Sequence, residues 1–277
     1  MLSKNKIKFI HSLHMKKFRD ESRFFIAEGS KLIADLTSNF DCELLVYTAS
    51  KEEDALSITA QERILTDETG LRKISAQKTP EGMLAVFRKP ELTVPSKKEL
   101  KTQLCLALDE IQNPGNLGTI IRIADWFGIR HIFCSFTTAD VYSPKVVQAT
   151  MGALARVQVH YVNLDTFLST WNIDNQSEPE CHHSLKDNEK SDNQEDYNNF
   201  AIYGTFLSGK NIYQEKLSPN GIILMGNEGQ GISPAIAKHV THKLRIPNFP
   251  ENAPSSESLN VAVATAIVCS EFRRNNF

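Results

Sequence analysis

No stretch of the 277 residues approaches the ~18 consecutive apolar positions that a membrane-spanning helix needs. The opening MLSKNKIKFIHSLHMKKFRD is basic but lacks the apolar core of a secretory leader. Cysteine is scarce. The five present (Cys42, Cys105, Cys134, Cys181, Cys269) are scattered, odd in number and without a CxxC pair. That pattern argues against a disulfide framework and points to a cytoplasmic protein. The sequence has neither GxGxxG nor GxxxxGK[ST], so its glycine turns are not a dinucleotide fingerprint or a P-loop. There is no internal repeat and no strong charge of either sign, the formal net charge being -2.

That sum hides a distribution. Residues 172–199 hold eight acids against two lysines, contribute -6, and leave +4 for the rest. Residues 1–31 carry eight Lys/Arg against three acids. A basic head and an acidic insert therefore keep polyanion binding open. The insert has almost no apolar residues and is predicted to be a mobile surface loop.

Apolar spacing predicts an amphipathic helix over residues 4–18, with Ile7, Ile10 and Phe18 on one face. FFIAEG reads as a buried strand, SKLIADLTSNF as a helix capped by Ser30, and CELLVYT and MLAVFRK as further strands. Together they imply a small α/β domain over residues 1–90. Two prolines and four lysines in KPELTVPSKKELKT suggest a linker at 91–102. From 103 to 277 strand and helix alternate: QLCLALDEI, HIFCSF, VQVHYV, NFAIYGTF, GIILMGNE and HKLRIP are strands, and a last helix runs from about Ser258 to Arg274. Strands apolar on both parities and separated by helices imply a parallel sheet covered on both faces.

Three polar or glycine-rich loops leave such strands and feed helices: NPGNLGTIIR, MGNEGQGIS and IPNFPENAPSSESLNVAVA. Ligands of open parallel sheets collect at these strand ends, so three such loops imply one shared pocket. In the first, Gly115 and Gly118 permit close backbone approach and Asn116 offers an amide. Arg122, one turn past Gly118, can reach back toward a phosphate or ribose at the helix N-terminus. The alternative is a guanidinium paired with a surface acid. In the second, Gly226, Gly229 and Gly231 surround Glu228, which orients Asn116 or Arg122, or else is a solvated turn residue. In the third, Ser258 caps the final helix and Asn260 lies in its first turn.

These motifs resemble the SpoU (TrmH) family of RNA ribose 2′-O-methyltransferases, of the SPOUT superfamily. The resemblance is carried by Asn116, Gly118, Arg122, Ala124, Phe127 and Gly128, by GNEGQGIS from Gly226 to Ser233, and by IP…SLNVAVA from Ile246 to Ala264. It spans roughly 103–274 apart from the insert, and the N-terminal part looks like the substrate-binding domain of many members, similar to ribosomal protein L30e. It implies a SPOUT-type parallel sheet with a C-terminal trefoil knot, S-adenosylmethionine as cofactor, a homodimer, and RNA as substrate, large-subunit ribosomal RNA ahead of tRNA. By motif position the cofactor would contact Thr205, Leu207, Gly226, Glu228, Gly229, Ile246, Ser258 and Leu259. Arg122, Asn116, Glu228 and Asn260 would be catalytic, with Arg122 binding the RNA phosphate and stabilising a developing alkoxide. Asn248 and Phe249 stand where the family has a methionine and a glycine, and the loop is longer, so the adenine side of the pocket is expected to differ.

Lys16, Lys17, Arg19 and Arg23 are expected either to track an RNA backbone or to solvate a helix. Cys181, His182 and His183 lack a second ligand pair, so no metal site is expected. The rivals are a tRNA methyltransferase, a non-catalytic RNA-binding or ribosome-assembly protein of the same fold, and a nucleotide-dependent oxidoreductase, which lacks its GxGxxG.

Overall fold

A computed structural model describes residues 2–173, 200–250 and 258–274. The acidic insert beyond Ile173, with Cys181–His183, and positions 251–257 of the third loop lie outside the described residues.

The first unit runs α1 (Lys4–Ser12), α2 (Lys16–Ser22), β1 (Phe24–Glu28), α3 (Ser30–Leu36), β2 (Cys42–Thr48), α4 (Glu52–Ser57), β3 (Glu62–Thr66), α5 (Glu68–Arg72) and β4 (Met83–Arg88). The strand order is β1-β4-β2-β3, with β4 antiparallel to both neighbours and β2 parallel to β3. The helix expected over 4–18 is two helices. Ser3 caps α1 by accepting from the Lys6 amide, and the chain turns after Leu13. The turn brings the Arg19 guanidinium back onto the Leu13 carbonyl (2.8 Å), a contact that a straight helix would not allow. Gly29, not Ser30, occupies the cap position of α3. β3 was not anticipated, because this strand buries only Ile64 and its polar run carries no strand signal of its own.

The stretch expected as a linker is exposed from Glu91 to Val94 and then forms α6 (Lys97–Leu100), closed by a capping box between Ser96 and Glu99. It is docked rather than free: Leu100 is buried, and Lys97 Nζ donates to the Thr170 carbonyl at 2.5 Å.

The second unit continues as β5 (Leu104–Leu108), α7 (Pro114–Trp126), β6 (His131–Cys134), α8 (Pro144–Thr150), β7 (Gln158–Tyr161), α9 (Leu164–Ile173), β8 (Ile202–Asn211), β9 (Gly221–Met225), α10 (Pro234–Ala237), β10 (His242–Arg245) and α11 (Val261–Arg273). Its six strands form one parallel sheet, ordered β10-β8-β9-β5-β6-β7. Every residue of β5 and β9 is buried, which is why these central strands read as unbroken apolar runs. Leu117, Ile121, Val146, Val268 and Phe272 from α7, α8 and α11 cover one face; Leu168, Trp171 and Ile236 from α9 and α10 cover the other. Where α7 crosses α8, a Cβ on Gly118 would collide with Ala149, so glycine there lets the two helices pack closely.

The two units share a core. Phe25, Ile33 and Phe87 belong to the same buried cluster as Leu106 and Ile121, and the Phe25 and Tyr142 rings lie 4.9 Å apart. Arg19 is only 3% exposed. Its Nε and Nη2 donate to Asp140 Oδ2 at 3.1 and 2.6 Å across the seam.

Candidate functional site

The site is built at the carboxyl ends of β5, β8, β9 and β10. Asn113 caps α7, its Oδ1 accepting from the Gly115 (2.8 Å) and Asn116 (3.2 Å) amides, and Pro114 supplies the first helical position. Helix therefore begins earlier than expected, and Gly115, Asn116 and Gly118 are helical rather than loop residues. Asn116, in the first turn, donates from Nδ2 to Glu228 Oε1 at 2.7 Å and accepts at Oδ1 from Asn260 Nδ2 at 3.0 Å. Asn260 Oδ1 in turn accepts from the Ala262 (2.9 Å) and Val263 (3.3 Å) amides. Asn260, not Ser258, is thus the cap of α11, which starts at Val261.

The direction of this relay follows from its ends. A carboxylate can only accept at one end, and helix amides can only donate at the other. Each asparagine must then present its NH2 toward Glu228 and its carbonyl toward α11, so both amide orientations are fixed. Three loops far apart in the chain are joined by one polar line.

The glycine loop after β9 is pinned from both sides. Asn227 Oδ1 accepts from Gly229 (2.9 Å) and Gln230 (3.1 Å), while its Nδ2 donates to the Glu110 carbonyl at 2.9 Å. Buried Asp109 accepts from the Ser233 amide at 2.8 Å. A Cβ on Gly226 would run into the Gly231 and Ile232 backbone, so that position tolerates nothing larger than glycine.

Between these loops lies a cavity of about 480 Å³. Thr205, Leu207, Gly226, Glu228, Gly229, Ile246, Ser258 and Leu259 all line it. Backbone of the glycine loop and Glu228 give it a polar side, and Leu207, Ile246 and Leu259 an apolar one. That pairing suits a ligand with a flat apolar ring at one end and polar groups at the other. Thr205 Oγ1 donates to the Leu224 carbonyl at 3.5 Å. The sequence reading missed Asn227, Asp109 and the lining residues Phe206, Met225 and Gln230. Asn227 was within reach, because an asparagine before Glu-Gly is a common signal for a side chain that closes its own turn.

Arg122 stands apart from this group. It is exposed, two turns into α7 rather than at its N-terminus, and does not line the cavity. Among the described residues it makes no hydrogen bond or ion pair, so the expected contact with Asn116 or Glu228 is absent within one chain. Six residues along a helix turn a side chain by roughly 240°, which puts Arg122 on a different face from Asn116. That face also carries Trp126, 85% exposed, and α11 beside it exposes Val263.

The N-terminal cations separate as well. Arg19 is sealed in the seam with Asp140 and cannot meet a nucleic acid, which corrects its assignment to RNA contact. Lys16 pairs with Asp20 and Lys17 with Glu21, both on the surface, and Arg23 donates to the Pro90 carbonyl at 3.3 Å. No group of three or more metal-ligating side chains occurs among the described residues. No helix there is long and apolar enough to cross a membrane.

Comparison with known proteins agrees with this architecture. A model described as the SpoU rRNA Methylase family matches residues 103–177 and 176–270, and one described as an MRM3-like substrate binding domain matches 4–85. The 23S rRNA (guanosine(2553)-2′-O)-methyltransferase RlmP of Bacillus subtilis (strain 168) is 27% identical over 97% of this chain and 96% of its own length. A solved TrmH-family protein from Porphyromonas gingivalis is 38% identical, with a TM-score of 0.81 over 99% of both chains. An AdoMet-bound rRNA methyltransferase from Sinorhizobium meliloti is 26% identical, with a TM-score of 0.78 over 100% of this chain and 98% of its own.

Proposed function

The chain belongs to the SpoU rRNA methylase family, and from that premise we propose that it transfers a methyl group from S-adenosylmethionine to a ribose 2′-hydroxyl of ribosomal RNA. The observation that carries this reading is the relay from Glu228 through Asn116 to Asn260, which gathers the three motif loops around one cavity.

The cavity residues fit the cofactor. Glycine-loop backbone and Glu228 would hold its polar end, and Leu207, Ile246 and Leu259 its adenine. When bound, S-adenosylmethionine supplies an electrophilic methyl on its sulfonium. The chain must position the hydroxyl and help it lose its proton. Arg122 cannot serve as a base, since a guanidinium carries only N–H donors and no acceptor site. It would instead bind an RNA phosphate and stabilise the developing alkoxide, with a phosphate oxygen taking the proton. Asn116, Glu228 and Asn260 would keep the ribose side of the cavity in register.

Arg122 also bears on assembly. A guanidinium without a partner among the described residues, beside an exposed tryptophan and outside the cavity of its own chain, supports a homodimer in which α7 and α11 meet a second copy and complete the site. The sheet order, and the return of α11 onto α7, support a C-terminal trefoil knot. We read 1–90 as an L30e-like RNA-binding domain, 91–102 as the connection and 103–277 as the methyltransferase domain, in a cytoplasmic protein. Exposed Lys16, Lys17 and Arg23 stay in that reading as RNA contacts, with Asp20, Glu21 and the Pro90 carbonyl giving way to phosphate.

The test is incubation of the purified chain and S-adenosylmethionine with unmodified 23S rRNA and tRNA, with ribose methylation mapped by resistance to alkaline cleavage. Methylation at a defined 23S position supports the reading. Cofactor binding without transfer to either RNA, or transfer to tRNA alone, overturns it.

A further inference from the structure

A second cleft, of about 340 Å³, lies between the two units, away from the cofactor cavity. One wall is the end of β1 with Ala76 and Gln77; the other is the first two turns of α8, with Lys145, Gln148 and Ala149. The walls are fixed. Glu28, buried at the end of β1, accepts from the Ala76 amide at 2.8 Å and from Ser75 Oγ, so the 75–77 segment is tied to the sheet. The Arg19–Asp140 pair, a few residues before α8, holds the units together at the same seam.

Apart from Glu28, its polar side chains have no protein partner among the described residues. Gln77 and Gln148 are half-buried, and among the described residues neither side-chain amide makes a hydrogen bond. Lys145, and Lys78 next to Gln77, are exposed and make no ion pair there. Partly desolvated amides lose water hydrogen bonds that a ligand would restore. Two amides, each with donors and an acceptor, flanked by cations over a narrow slot, match the edge of a nucleobase with its phosphate.

Location links this cleft to the reaction. Ala149 lines it and also meets Gly118 at the crossing of α7 and α8. Arg122 follows Gly118 by four residues, about 6 Å along α7 and on nearly the same face. Resting on the RNA methyltransferase reading above, we propose that this inter-domain cleft seats an unpaired RNA nucleotide flanking the one that is methylated, with Gln77 and Gln148 reading its base edge and Lys145 its phosphate.

Charge sign is the discriminating readout, because a purely structural role would not follow it. Affinity for a full-length unmodified 23S rRNA transcript would be measured by filter binding for Gln148→Glu, Gln148→Lys, Gln77→Glu and Gln77→Lys. S-adenosylmethionine affinity and thermal midpoint are the controls for folding. Each glutamate variant is expected to bind about tenfold more weakly and each lysine variant at least as well as the parent, with turnover at saturating RNA unchanged. Lys145→Ala is expected to flatten the log-affinity against log-salt slope by about 0.7. Equal affinity for glutamate and lysine variants at both positions overturns the proposal while leaving methyl transfer by the parent protein intact. Sign-dependent binding without any transfer by the parent would support the cleft and sink the enzymatic reading instead.

Discussion

Asn116 donates to Glu228 at 2.7 Å although 112 residues separate them in the chain. With Asn260 on its other side, Asn116 is the middle of a relay whose every amide has a fixed direction.

Asn116→Ala removes both bonds and leaves the Glu228 carboxylate without its donor. Turnover is expected to fall roughly 10- to 100-fold, by the cost of unpairing a partly buried polar group. Single-turnover kinetics on 23S rRNA check this; an unchanged rate would remove Asn116 from the working site. Asn116→Asp, which faces Glu228 with a second carboxylate, should do worse than alanine.

Trp126→Glu puts a charge into the exposed face beside Arg122. If α7 meets a second copy there, the dimer should weaken by at least about 30-fold, the loss typical of an interface anchor. Sedimentation at micromolar concentration reads this directly, and activity should fall with the dimer population. A variant that sediments as the parent does rules this face out as the interface.

The seam between the units holds a charge pair that is costly to half-break. Asp140→Ala strands the Arg19 guanidinium in a dry site and is expected to cost about 3–5 kcal/mol in denaturant unfolding. Arg19→Met, which fills the space without a charge, should cost less than the aspartate variant. The reverse order would mean that packing, not charge, holds the seam.

Acid stability has a defined origin in His160. Burial, with His131 beside it, pushes its pKa down from 6.5 to about 4. Between those values the unfolded chain holds the proton and the folded chain does not, so stability falls as pH drops through that window and is flat above it. His160→Gln, which keeps a partner for His131, should shrink the slope of thermal midpoint against pH between 6.5 and 4. An undiminished slope would place the acid lability elsewhere.

Much of this was legible in the sequence. The central strands β5, β6 and β9 announce themselves as apolar runs, because a strand covered on both faces has no polar parity to confuse the signal, whereas the edge strand β10 buries only Leu244. The resemblance, rather than any spacing, named Thr205, Leu207, Gly226, Glu228, Gly229, Ile246, Ser258 and Leu259, which line the cavity between the loops, but not Phe206, Met225 or Gln230. What failed was local. Asn113 as a cap moved the start of α7 upstream of both glycines, so Arg122 is a turn deeper than the glycine spacing implies. Arg19 reads as a solvated helix cation until the turn after Leu13 folds it back toward Asp140, a partner in another unit that no local pattern reveals. β3 stayed hidden because a single buried residue, Ile64, is no pattern at all.

The account rests on Arg122 acting on RNA rather than on the cofactor, and Arg122→Ala tests that most directly, with S-adenosylmethionine affinity by calorimetry and methyl transfer to 23S rRNA measured on the same preparation. The expected result is cofactor affinity within about twofold of the parent and turnover lower by roughly 10²–10³, as for loss of a group that stabilises developing charge. Near-normal turnover would contradict the account.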